Sequence, residues 1–245
     1  MARVDYDKQA AVYDRGRSLP PEAITQWMLV VRRHIGDEAQ TILDLGSGTG
    51  RFSSALADAF GVDVIAVEPS VGMRRQAKTK TQAHVRMVGG SAEQLPLADR
   101  SCHAAWLSNV IHHFDDVPAA ARELRRVLTE GAPVLIRGAF AGRGPIPTLY
   151  RFFPGTRNAV DSFPSVNDVF EAFEKTGFAN MSVERVEQLL AYKLADMVDR
   201  VRQRADTTLE KLSDEDFAQG LAELERAAKT ETGPVLDYLD LLVVR

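Results

Sequence analysis

Short apolar runs alternate along the chain with stretches whose apolar residues recur at helical spacing. Such alternation marks βαβ units and a mainly parallel sheet. Thr41–Gly46 (TILDLG) reads as a first strand, and Phe52, Ala55, Leu56 and Ala59 line one helical face after it. Val62–Ser70 reads as a second strand, followed by a helix through Met73 and Ala77. Ala83–Gly90, Cys102–Val110 and Pro133–Phe140 are the third, fourth and fifth, and a helix closed by Gly131 lies between the last two. A helix from about Ser165 to Thr176 stops at Gly177, and a sixth strand falls within Asn180–Leu190. VLDYLDLLVVR is a closing strand without a helix after it.

Three stretches depart from the alternation. Residues 1–36 look helical, and residues 141–164 form a long connection rich in proline and aromatics. Residues 191–232 place Leu194, Val198, Val201, Ala205, Leu209 and Leu212 on one amphipathic helix, with a second around Phe217, Leu221 and Leu224. Insertions of this length in an α/β domain predict lids or partner surfaces. The division expected is one domain over 1–245: N-terminal lid helices over 1–36, a ligand-binding core over 37–140, and substrate lids over 141–164 and 191–232.

Composition narrows the partners. At 245 residues and 45% hydrophobic, the chain can bury one full core. A formal net charge of -4 and a pI near 5.8 recruit neither nucleic acid nor an acidic membrane surface. The single cysteine, Cys102, excludes an internal disulfide framework. With a charged N-terminus and no run of about 18 apolar residues, a cytoplasmic protein without stable membrane association is expected. His34, His84 and His103 are scattered without metal-ligand spacing, and no metal site is expected.

The stretch ILDLGSGTG puts three glycines, Gly46, Gly48 and Gly50, directly after the first strand. A dinucleotide fingerprint needs its third glycine at position 51, which is Arg51 here, and a phosphate loop needs a lysine that is absent. Asp44, two residues before Gly46, disfavours a pyrophosphate and suits a ligand that is cationic there, such as a sulfonium or an α-amino group.

DLGSGTG resembles the first motif of the class I S-adenosylmethionine-dependent methyltransferases. VEPS, SAEQLPL and SNVIHHF follow in family order, similar to the menaquinone/ubiquinone-type small-molecule branch, from about Tyr6 to Gly131. The resemblance implies a Rossmann-like α/β fold: a seven-stranded, mostly parallel sheet with an antiparallel last strand, helices on both faces and helical lid insertions. It implies S-adenosyl-L-methionine as cofactor, with Gly46, Ser47, Gly48 and Gly50 around its methionine part. Glu68 would take the ribose hydroxyls, and Pro69 and Met73 would flank the adenine. Ser91, Ala92 and Glu93 fall where relatives often carry Asp-Ala for the adenine amine; Ser91 departs from that pattern. Ser108 and Asn109 would meet the α-amino group. The opening helix would fold over the cofactor, with Tyr6 or Tyr13 covering the sulfonium.

His112 and His113, past the fourth strand, are the candidate catalytic residues, as a proton acceptor or as pocket lining. No Asn/Asp-Pro-Pro-Tyr run follows that strand, and Cys102 opens it rather than following a proline, so base methylation is disfavoured and a small-molecule acceptor remains. Gly131–Val160 carries Arg137, Arg143, Arg151 and Arg157 but no acid, with Phe140, Tyr150, Phe152 and Phe153 interleaved. That pattern points either to an acceptor with an anionic group and an apolar or aromatic portion, held by Arg137 or Arg151 beside Tyr150, or to arginines that are solvated or paired with the acidic 191–232 helices. The alternative is a protein that binds the same cofactor for non-methylating chemistry or for regulation.

Overall fold

The structure, a computed structural model, describes residues 6–80, 83–144 and 147–245. Helices α1 (Tyr6–Gly16) and α2 (Pro21–Arg32) lead into β1 (Thr41–Leu45), α3 (Arg51–Phe60), β2 (Asp63–Val67), α4 (Val71–Lys78) and β3 (Val85–Val88). Next come β4 (Ala104–Ser108), a short 3-10 turn over Ile111–His113, α5 (Val117–Val127) and β5 (Val134–Gly138). After α6 (Pro147–Phe152), α7 (Thr156–Asp161) and α8 (Val166–Glu174) runs β6 (Met181–Ala191). The chain then forms α9 (Leu194–Arg202), α10 (Thr207–Glu210), α11 (Asp214–Ala227) and β7 (Val235–Val244).

The strands form one sheet in the order β3-β2-β1-β4-β5-β7-β6. β7 is antiparallel to both neighbours and the other pairs are parallel. Period-two alternation explains how a run of consecutive apolar residues serves both faces. Ile42, Ala104, Trp106 and Leu135 join α2 and α3 in one core. Their neighbours Leu43, Ala105, Leu107 and Ile136 join α5 and α8 in the other. The reversal of strand order at β1/β4 opens a crevice at the carboxyl edge, where such sheets bind ligands.

A third apolar cluster joins Phe152 and Phe153 to Leu194, Val198 and Val201 of α9, and to Leu209 and Leu224. It forms a cap beside the carboxyl edge. Here the structure corrects the expectation of one helix through Leu212. The chain turns at Arg204, whose φ is 47°, and restarts on Asp206, which accepts from Thr208 N at 2.8 Å. A cap residue followed by two threonines competes well with helix continuation. The connection over 141–164 likewise contains two short helices. Among the described residues, no helix is long and apolar enough to cross a membrane, and no group of three or more His, Cys, Asp or Glu could hold a metal ion.

Candidate active site

All three loop glycines have positive φ: 70° at Gly46, 56° at Gly48 and 78° at Gly50. A side chain at Gly46 would collide with Val110, whose Cγ2 lies 2.2 Å from an added Cβ. The loop therefore presses against the end of β4 with bare backbone. Gly48 N donates to Glu68 Oε2 at 2.9 Å, and Ser70 N donates to Oε1 at 2.9 Å. The carboxylate at the end of β2 thus ties the glycine loop to the start of α4.

Asp44 is 2% exposed and accepts from Ser53 Oγ at 2.6 Å. Burial, with Glu68 close by, pushes its carboxyl up to about 7. Burial also raises Glu68, against the pull of its two backbone donors. Among the described residues neither acid has a cation within ion-pairing distance. Two buried carboxyl groups without a paired cation, beside open backbone, suit a ligand bringing positive charge and hydroxyl donors and disfavour a pyrophosphate.

A cavity of about 190 Å³ lies between this loop, the carboxyl edge and the cap. Arg137 rises into it from the end of β5 and is 3% exposed. Its Nη1 donates to Ser108 Oγ at 3.0 Å and its Nη2 to Gln188 Oε1 at 2.8 Å. Gln188 also accepts from Trp27 Nε1 at 2.8 Å, and the guanidinium lies 4.7 Å from the Trp27 ring centre. Arg17, Arg51 and Arg200 line the same cavity. Arg17 pairs with Asp206, Arg51 sits 3.8 Å from Asp14, and Arg200 donates to the Ser18 carbonyl. Burial first, then Arg17 and Arg51, lower Arg137 to about 9. Burial is also the largest cause that brings Arg200 down to about 10. Four arginines thus line one cavity.

Residues 43–136 match the methyltransferase domain family. The demethylmenaquinone methyltransferase of Renibacterium salmoninarum is 30% identical over 168 residues, 65% of this chain and 70% of that protein. The chain belongs to the class I S-adenosylmethionine-dependent methyltransferases. The malonyl-[acyl-carrier protein] O-methyltransferase of Gallionella capsiferriformans is 28% identical over 78% of this chain and 69% of its own length. An uncharacterized methyltransferase of Mycobacterium bovis reaches 35% identity, but there the chain spans only 48% of the relative. A putative methyltransferase from an antibiotic biosynthesis pathway of Anabaena variabilis shares the fold, with a TM-score of 0.71 and 21% identity, covering 94% of this chain and 99% of that one.

The methyltransferase's cofactor is S-adenosylmethionine, and the residues present fit it. Asp44 and Glu68 would supply acceptors to it, and the glycines would allow the close backbone approach. Tyr13, Asp44, Gly46, Ser47, Gly48, Ser108 and Asn109 line the cavity. α1 is held over the start of α4 by Asp7, which accepts from Ser70 Oγ at 2.6 Å and Gly72 N at 2.7 Å. This places Tyr13 above the glycine loop; the side chain of Tyr6 lies outside the described residues. The residues expected on the adenine side do not line the cavity. Pro69 follows Glu68, Met73 is 1% exposed, Ala92 is 5% exposed, Ser91 bridges to Gln94, and Glu93 accepts from Asp115 N at 3.0 Å. Gly50 caps α3.

His112 and His113 both line the cavity, with ring centres 4.0 Å apart. His112 stacks on Phe163 at 3.9 Å. Burial, then His113, Arg17 and Lys211, hold it well below the usual imidazole range, so it is neutral at pH 7.

The arginine-rich connection divides. Arg137 reaches the cavity, but Arg151 is exposed and pairs with Glu231, its guanidinium stacked on Phe152. Tyr150 is partly buried outside the cavity lining. Arg143 pairs with Asp240 at 3.0 Å. Acids distant in sequence thus draw Arg151 and Arg143 away from the ligand space. Gln188, Asp237, Arg17 and Arg200 line the cavity without having stood out in the sequence. Arg51 was visible there only as the residue in place of a third glycine.

Proposed function

We propose that this methyltransferase acts on a small acceptor bearing an anionic group and an apolar or aromatic portion. The convergence of Arg17, Arg51, Arg137 and Arg200 on one cavity carries the reading. Cations desolvated together repel one another, and an anion among them relieves both that repulsion and the lost hydration. Phe52, Leu149, Phe163, Leu209 and Leu239 supply apolar wall for the rest of the acceptor. When bound, S-adenosylmethionine supplies an electrophilic methyl on a sulfonium. The chain's own residues hold and dehydrate the reactants, which is where most of the rate of an in-line transfer arises. Neutral His112, stacked on Phe163, orients the acceptor, and the cap acts as its lid.

The comparison that tests this is turnover of 4-hydroxybenzoate against 4-hydroxybenzamide, in wild type and in Arg200→Gln. Wild type is expected to favour the acid. The variant should lose about 10- to 100-fold in kcat/KM for the acid, as for one charge-assisted contact, and little for the amide. Equal use of both probes by the wild type contradicts the reading.

A further inference from the structure

The cavity's carboxylates are not equivalent. Asp206 is consumed by Arg17, Thr208 N and Thr208 Oγ1. Asp44 lies at the end of β1 against Ser53. Asp237 differs: it is 3% exposed, lines the cavity, and its Oδ1 has no hydrogen-bond partner.

Its position follows from strand register. Arg137 pairs with Leu241 across β5 and β7, and Asp237 lies four residues along β7, on the same face as Leu241 and Leu239. Gln188 of β6 pairs with Asp237 and shares that face. Because β7 runs against the sheet, its first residues reach the carboxyl edge where β5 ends. Arg137, Gln188, Leu239 and Asp237 therefore form the floor on the side away from the Asp44 carboxylate. Arg137 spends both Nη atoms on Ser108 and Gln188, and its Nε is also buried without a partner. A bare acceptor and a bare donor, both buried on one floor, call for an explanation, and a catalytic role is one that such groups serve.

We propose that Asp237 is a catalytic residue that takes the proton from an O–H or N–H nucleophile of the acceptor. The inference rests on the anionic-acceptor reading and deepens it, since it makes the nucleophile a protic heteroatom distinct from the anionic group. The X–H bond breaks towards the Asp237 carboxylate as the X lone pair bonds to the methyl carbon. The C–S electron pair stays with sulfur, which becomes a neutral thioether, and the proton later passes from Asp237 to solvent. Burial raises the Asp237 carboxyl to about 7, against Tyr238 N–H and Arg137. That suits a base working near neutrality. Stacked His112, held far lower, is the poorer acceptor. The charged or titratable groups around Asp237 are Arg137 from β5 and Tyr150 from α6, with Arg157 and Asp161 of α7 acting on Tyr150.

Asp237→Asn keeps the shape and removes the base. Two readouts decide its role. With 4-hydroxybenzoate and 4-aminobenzoate as probes, kcat should fall about 100-fold or more, KM should change less than about threefold, and the loss of rate below pH 7 should disappear. The unfolding midpoint without acceptor is the second. A carboxyl raised when folded stabilises the native state at low pH, and that contribution is lost as pH rises through 7. Asn should therefore gain stability relative to wild type between pH 5 and pH 8. A variant that retains turnover and its pH limb, or that is less stable than wild type at pH 8, overturns the proposal and makes Asp237 a counter-ion for Arg137. If wild type uses neither probe, the anionic-acceptor reading fails, while the stability readout still decides whether Asp237 is that counter-ion.

Discussion

Glu68→Ala is expected to weaken S-adenosylmethionine by about 2–3 kcal/mol, roughly 30- to 150-fold in Kd. Two losses combine. The carboxylate would hydrogen-bond both ribose hydroxyls, and charge-assisted bonds of that kind are the strong ones. It also anchors the glycine loop through Gly48 N and the start of α4 through Ser70 N. Alanine leaves those two donors without their acceptor, so the loop loses its geometry even before the cofactor binds. Glu68→Gln should be milder, because the amide oxygen still accepts one of them. Calorimetric titration measures both variants. An unchanged Kd in Glu68→Ala removes Glu68 from the cofactor site.

Gly46→Ala should be the most disruptive single methyl in the core. Its Cβ would stand 2.2 Å from Val110 Cγ2 and 2.9 Å from Val110 Cβ, in a backbone with φ of 70°. Overpacking costs about 1–3 kcal/mol and the left-handed conformation about 1–2 kcal/mol more. Val110 cannot yield freely, because Asn109 beside it is pinned by its N–H to the Arg137 carbonyl at 2.7 Å. The expected result is a fall in Tm on the order of 5–15 °C, with cofactor binding lost. Gly36→Ala, where an added Cβ meets nothing within 4 Å, is the matched control. Thermal unfolding of the two decides it; equal midpoints refute the close approach.

The strands and their faces were legible because parallel strands buried on both sides are written as unbroken apolar runs. The candidate cofactor loop was legible because local chemistry, three glycines with Asp44 before and Glu68 after, is also local in space. The acceptor side was not, because its residues come from elements spread from Arg17 to Leu239. Asp237 and Asp240 interrupt an otherwise apolar closing strand. That interruption is a signal for buried polar groups, although nothing local shows that Asp240 takes Arg143 and Arg185 while Asp237 keeps a bare oxygen. Arg200 sits on an amphipathic helix whose charges look solvated until the cap folds onto the sheet. Arg151 read two ways: its aromatic neighbours near in sequence suggested a ligand clamp and the acids of 191–232 a partner, and Glu231, 80 residues away, pairs with it.

A crystal structure with S-adenosylhomocysteine and 4-hydroxybenzoate gives the most direct reading of the cavity. The carboxylate should lie within about 3 Å of a guanidinium nitrogen of Arg51, Arg137 or Arg200, with the hydroxyl turned towards sulfur and Asp237. A carboxylate in solvent or on Arg151, with the four cavity arginines facing only protein, would contradict it.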